Sequence, residues 1–91
     1  MGPNKKSRIL QRARNAPGGW TRSELDKLYH NFGFIIETDH ASHDIAKHPD
    51  LPKTMKGTLT RSSGELHPDY VRHAVYLIDQ LLSLEKGKRN G

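Results

Sequence analysis

A chain of 91 residues, 33% of them hydrophobic, supports one domain with one modest core and leaves little room for a deep, enclosed active site. Cysteine is absent, which excludes disulfides and thiolate metal ligation and fits a reducing, cytoplasmic setting. No apolar run approaches the roughly 18 residues of a membrane span, and the polar N-terminus lacks the apolar segment of a signal peptide. A soluble protein with no membrane partner is therefore expected.

The formal net charge of +5 is unevenly placed. Of the 15 lysines and arginines, six lie in residues 1–22 (Lys5, Lys6, Arg8, Arg12, Arg14 and Arg22) with no acid among them, and the remaining nine are outnumbered by 10 acids. Such an arm suits a polyanion, because neutralising phosphates releases counterions. It suits equally well a solvated tail that aids solubility.

In chain order, residues 4–16 can form a short helix with Ile9, Leu10 and Ala13 as a thin apolar stripe, or stay disordered until bound. Pro17-Gly18-Gly19 then breaks the chain. The next helix begins with a capping box, in which Thr21 caps the amide of Glu24 and Glu24 reaches back to Thr21, while Trp20 and Leu25 occupy the positions of a hydrophobic staple. Leu25, Leu28, Tyr29 and Phe32 repeat at helical spacing, and Gly33 supplies the stop. Trp20 reads as a core-edge anchor rather than a base-stacking platform.

Phe34 to Thr38 is β-branched and aromatic, as a strand should be, and a turn at Asp39-His40 follows. A second strand is expected over 42–48, ended by the two prolines of Pro49-Asp50-Leu51-Pro52. A third runs over 53–61, with Met55, Gly57 and Leu59 on one face and Thr54, Lys56, Thr58 and Thr60 on the other. In the last element Pro68 stands at a first helical position, Asp69 complements the helix N-terminus, and Val71, Ala74, Val75, Ile78, Leu81 and Leu82 form the apolar stripe. This helix should cover the sheet, and residues 86–91 should fray as a polar tail. The expected order is helix, three meandering strands, helix, behind an optional basic element.

Proton-transfer chemistry concentrates in residues 39–49, which hold His40, His43 and His48, half of the six histidines, beside Ser42 and two aspartates. Strand alternation puts His43, Ile45 and Lys47 on one face and Ser42, Asp44, Ala46 and His48 on the other. A metal site is disfavoured, because His40 and His43 differ in parity and no HExxH spacing occurs. Acyl transfer is disfavoured as well, since Ser42 and His43 are adjacent and project to opposite faces. Cleavage of an RNA phosphodiester needs less from the protein. The substrate's own 2′-hydroxyl is the nucleophile, so a proton acceptor, a donor and positive charge suffice. The plain alternative is a surface histidine with no catalytic role. His30, His67 and His73 read as ordinary helix-surface or loop residues.

Trp20, Glu24-Leu25, Leu28, Gly33-Phe34, Ser42-His43, His48-Pro49, Gly64-Glu65-Leu66, Pro68 and Val71-Arg72 resemble, in order and spacing, the HicA toxins of bacterial toxin–antitoxin systems. The resemblance covers roughly residues 20–82. It implies an α+β fold like that of double-stranded-RNA-binding domains, α-β-β-β-α, with a three-stranded antiparallel sheet covered on one face by two helices. It further implies a metal-independent, cofactor-free ribonuclease that cleaves mRNA and is neutralised by a HicB-like antitoxin. The catalytic histidine of the family's Gly-Ser-His motif corresponds to His43 and its serine to Ser42, while Ala41 replaces the glycine. Many members carry a proline and a second histidine near the end of the third strand, where this chain has Thr60-Arg61-Ser62-Ser63. His67 stands where a lysine is common.

The expected layout is a basic extension over 1–19, a HicA-like domain over 20–85 and a tail over 86–91. The expected site has His43 as acid or base, Ser42 in support, and Lys47, Lys53, Lys56 and Arg61 against phosphate. The alternative is a non-catalytic RNA- or DNA-binding module of the same fold.

Overall fold

The computed structural model describes residues 5–38, 42–61 and 64–90. The fold is α+β, with a three-stranded antiparallel sheet and three helices. The basic extension forms the first helix, α1 (Lys5–Asn15), from a run of strong helix formers. Its apolar stripe closes onto the domain: Leu10 and Ala13 are buried in the common core and Ile9 packs against it. Two of its cations are tied down. The Arg12 guanidinium bonds Glu24 at 2.6 Å and lies 4.3 Å from the centre of the Trp20 ring, and Arg14 grips both carboxylate oxygens of Asp79.

Trp20 is fully buried and its indole N–H donates to the carbonyl of Ala16 at 2.8 Å, so it anchors the chain break, as its staple position predicts. The capping box forms: Thr21 Oγ1 accepts from the amide of Glu24 and the Thr21 amide donates to Glu24 Oε1 at 3.1 Å. It opens α2 (Arg22–Asn31), which buries Leu25, Leu28 and Tyr29. Gly33, at φ +82°, takes the left-handed conformation that ends this helix.

The strands are β1 (Ile35–Glu37), β2 (Asp44–Lys47) and β3 (Gly57–Leu59), in spatial order β1-β2-β3. All are shorter than the sequence pattern suggests. At the start of the connection to β3 the backbone donors turn inward: the Leu51 amide bonds the carbonyl of His48, and that of Met55 the carbonyl of Pro52. Lys53 and Thr54 consequently occupy a turn instead of extending the ladder. Leu51 is buried and Met55 packs against the core, so burial beneath the turn replaces strand pairing.

Alternation within the strands holds. Ala46, Gly57 and Leu59 are buried toward the helices, whereas Thr58 and Lys47 are exposed on the other side. At Gly57 a side chain has no room: a Cβ there would stand 2.1 Å from the hydroxyl oxygen of Tyr29. Burial pushes the phenol of Tyr29 well above its ordinary pKa, keeping it neutral against β3.

The third helix, α3 (Pro68–Asn90), begins at the proline as expected, and His67 Nδ1 accepts from the amide of Asp69 at 3.1 Å, capping the first turn. It continues through the backbone of residues 86–90, because Lys and Arg are good helix formers and sustain it past the last core contacts at Leu81 and Leu82. Val71, Ala74, Leu77, Ile78 and Leu81 are buried with Leu25, Leu28, Phe34 and Leu59. The helices thus share one side of the sheet, and among the described residues the opposite side is uncovered. Among those residues no helix is long and apolar enough to cross a membrane.

Candidate functional site

The site is built from the start of β2. Asp44 faces the helices and is 4% exposed, an unusual place for a carboxylate unless it is paired. Arg22 bonds one of its oxygens at 2.7 Å and Arg61 the other at 2.8 Å. Arg22 also takes Asp26 at 2.7 Å and the carbonyl of Thr60 at 3.1 Å, and Arg61 takes the carbonyl of Thr38 at 3.1 Å. Burial alone would raise the Asp44 pKa, but the hydrogen bonds and charges of Arg22 and Arg61 outweigh it and hold the carboxyl below its ordinary value. This cluster joins the N-terminus of α2, the end of β1, the start of β2 and the exit of β3.

His43 immediately precedes that anchor. It is exposed, shares the parity of Ile45 and Lys47, and has no hydrogen-bond partner among the described residues. Ser42 is exposed too. The anchor beneath β2 fixes the backbone next to His43, which alternation assigns to the side of Ile45 and Lys47. The turn expected at Asp39-His40 lies outside the described residues, as do Ala41, Ser62 and Ser63.

The four cations expected to meet phosphate divide. Arg61 follows Leu59 in parity and is held by Asp44 on the helix side, so its charge is compensated there. Lys47 lies on the helix-free side, four residues from His43 and about 13 Å along the strand, and is paired with Glu37 across β1. Lys53 and Lys56 have no ion pair among the described residues and line a groove of about 610 Å³ at the far end of β2. Ile35, 53% exposed, and Ile45 contribute apolar surface to it.

His48, for which the sequence suggested no role, also borders this groove. Its ring meets Phe34 edge-on, with centroids 5.1 Å apart, and its Nδ1 accepts from the amide of Asp50 at 3.0 Å. That bond places the proton of the neutral ring on Nε2. The His-Pro-Asp sequence signals such a turn, but nothing in it discloses the lysines that converge beside it. Among the described residues no three histidine, aspartate or glutamate side chains are grouped as a metal would require.

Compared with known proteins, the chain matches no family model, no curated protein and no solved structure. What the fold and site define is a small α+β domain whose helix-free sheet face carries an exposed histidine at one end and a lysine-bordered groove at the other.

Proposed function

We propose that this protein is a toxin-type endoribonuclease of the HicA kind, with a fold like that of double-stranded-RNA-binding domains, acting on mRNA and neutralised by a HicB-like antitoxin. The observation that carries the reading is His43, exposed one residue before β2 in a three-stranded sheet that follows α2 and precedes α3, where strand alternation assigns it to the helix-free face. The ordered landmarks from Trp20 to Arg72 support it as well.

In the proposed reaction the imidazole of His43 accepts the proton of a ribose 2′-hydroxyl. The 2′-oxygen attacks the adjacent phosphorus, and the 5′-oxygen leaves with a proton from the imidazolium or from water. The products are a 2′,3′-cyclic phosphate and a 5′-hydroxyl, with no metal required. Lys47 can contribute charge, because an exposed pair such as Lys47–Glu37 is weak and exchanges readily for phosphate. An antitoxin covering His43 would present acidic groups to this face and bind less tightly as salt rises.

Replacing His43 with alanine should reduce RNA cleavage by roughly a hundred- to ten-thousand-fold, measured on purified protein in the presence of EDTA. An unchanged rate removes His43 from the mechanism. A second reading, a non-catalytic RNA-binding module, is favoured by one observation: Arg61 and Lys47, two of the cations expected near His43, are paired with Asp44 and Glu37. It predicts salt-dependent RNA binding with no cleavage products.

A further inference from the structure

We propose that the groove over the Lys47 end of β2 is a nucleotide subsite, in which Lys53 and Lys56 hold phosphate and the apolar surface of Ile35 and Ile45, beside the His48 ring, receives a base. The proposal rests on the RNA-cleaving reading and names where the strand is held away from the scissile bond.

Four observations carry it. The groove's volume, about 610 Å³, falls within the range of small-ligand sites. Of its three lysines, Lys47 is matched by Glu37, which also lines the groove, but Lys53 and Lys56 have no ion pair among the described residues, whereas Arg12, Arg14, Arg22 and Arg61 are all matched to acids. Ile35 and Ile45 lie diagonally on adjacent strands, since Ile35 pairs with Lys47 and Glu37 with Ile45, and together they offer a low apolar surface on an otherwise polar face. The His48 ring is held on two sides, by Phe34 and by the Asp50 amide, so little side-chain entropy is lost when a base packs against it.

Single-stranded RNA combines these needs, with anionic groups at regular spacing and flat apolar bases between them. An acidic peptide would match the lysines but not require the apolar surface. The groove and His43 lie toward opposite ends of β2 on one face, so a strand running along β2 reaches both.

The test is fluorescence anisotropy of a single-stranded hexaribonucleotide with the full chain carrying His43→Ala to prevent turnover. Adding Lys53→Ala and Lys56→Ala should weaken binding about tenfold at low salt and reduce the logarithmic salt slope by about 1.4, for two phosphate contacts on a single strand. The same loss of charge on the helix side, Arg8→Ala with Lys27→Ala, should change affinity less than twofold. Ile35→Ala, at an exposed position, should weaken the hexaribonucleotide but leave inorganic polyphosphate unaffected.

Equal losses from the two double variants would overturn the subsite in favour of diffuse charge attraction. Poly-glutamate that binds the groove and resists displacement by the oligonucleotide would overturn it in favour of an acidic peptide. Cleavage that depends on His43 but binding that ignores Lys53 and Lys56 defeats the subsite alone. The predicted binding pattern without cleavage by the parent supports the subsite and defeats the nuclease reading.

Discussion

The two sides of the sheet differ in how far their charges are matched. On the helix side, Arg12, Arg14, Arg22 and Arg61 each meet a carboxylate, and Asp44 joins two of them in a nearly dry position. On the open side, His43, Lys53 and Lys56 have no such partner among the described residues, and only Lys47 is matched, by Glu37. The difference shows that local charge density along a chain is a poor guide to where a polyanion will sit. The N-terminal stretch is the most basic in sequence, yet much of its charge joins helices together.

If the helix side carries stability and the open side carries function, substitutions should separate the two. The largest loss is expected from Trp20→Ala, which empties a fully buried site and removes the indole bond to Ala16. A cost of about 3–5 kcal/mol should appear in chemical denaturation. Gly57→Ala comes next. Its methyl would meet the Tyr29 hydroxyl, an overpacking worth roughly 1–3 kcal/mol, and Tyr29→Phe in the same chain should recover part of it.

A pH titration sharpens the contrast further. The pKa of Asp44 is lowered because hydrogen bonds from Arg22 and Arg61 outweigh burial, and that of Glu24 is lowered chiefly by its bond from Arg12. Carboxyls depressed in the folded state stabilise it above their unfolded values, near 4. That stabilisation is lost as pH falls through the lower folded values. Denaturation midpoints should therefore drop on acidification below about pH 4, and Asp44→Asn should flatten that limb. A wild-type limb unchanged by Asp44→Asn would show that the cluster does not couple folding to protons.

The smallest effects belong to the open side. Lys53→Ala and Lys56→Ala should shift stability by no more than about 0.5 kcal/mol each, while changing RNA binding. A loss of stability comparable to that of Gly57→Ala would erase the division between the two sides.

Much of the scaffold was legible because its signals are local. Thr21 and Glu24 lie three residues apart, so the capping box needs nothing beyond the helix itself, and the same holds for Gly33 as a stop and Pro68 as a start. Strand alternation likewise set Ala46 and Lys47 on opposite faces and Leu59 with Gly57, while only the fold decided that Ala46 turned inward and Lys47 outward. The strand ends were less legible. Lys53 and Thr54 fit a strand by pattern, but their turn depends on Leu51 and Met55 finding the core.

The candidate site divides along the same line. His43 and its parity could be read from the chain, whereas the destination of Arg61 could not. Its partner, Asp44, lies 17 residues away and becomes a partner only when β2 and β3 pair. The three lysines grouped from sequence all border the groove but differ in fate, since Lys47 meets Glu37 while Lys53 and Lys56 have no ion pair among the described residues.

By itself the sequence determined the helix limits set by Thr21, Gly33 and Pro68, which strand residues share a face, and the place of His43 beside Asp44, because each depends on residues within a few positions. Only the tertiary structure decided that the basic extension docks as α1, that Arg22 and Arg61 converge on one buried carboxylate, and that His48 joins Lys53 and Lys56 around one groove. Those outcomes depend on which distant surfaces bury one another, and burial is a property of the assembled core rather than of any short stretch of chain.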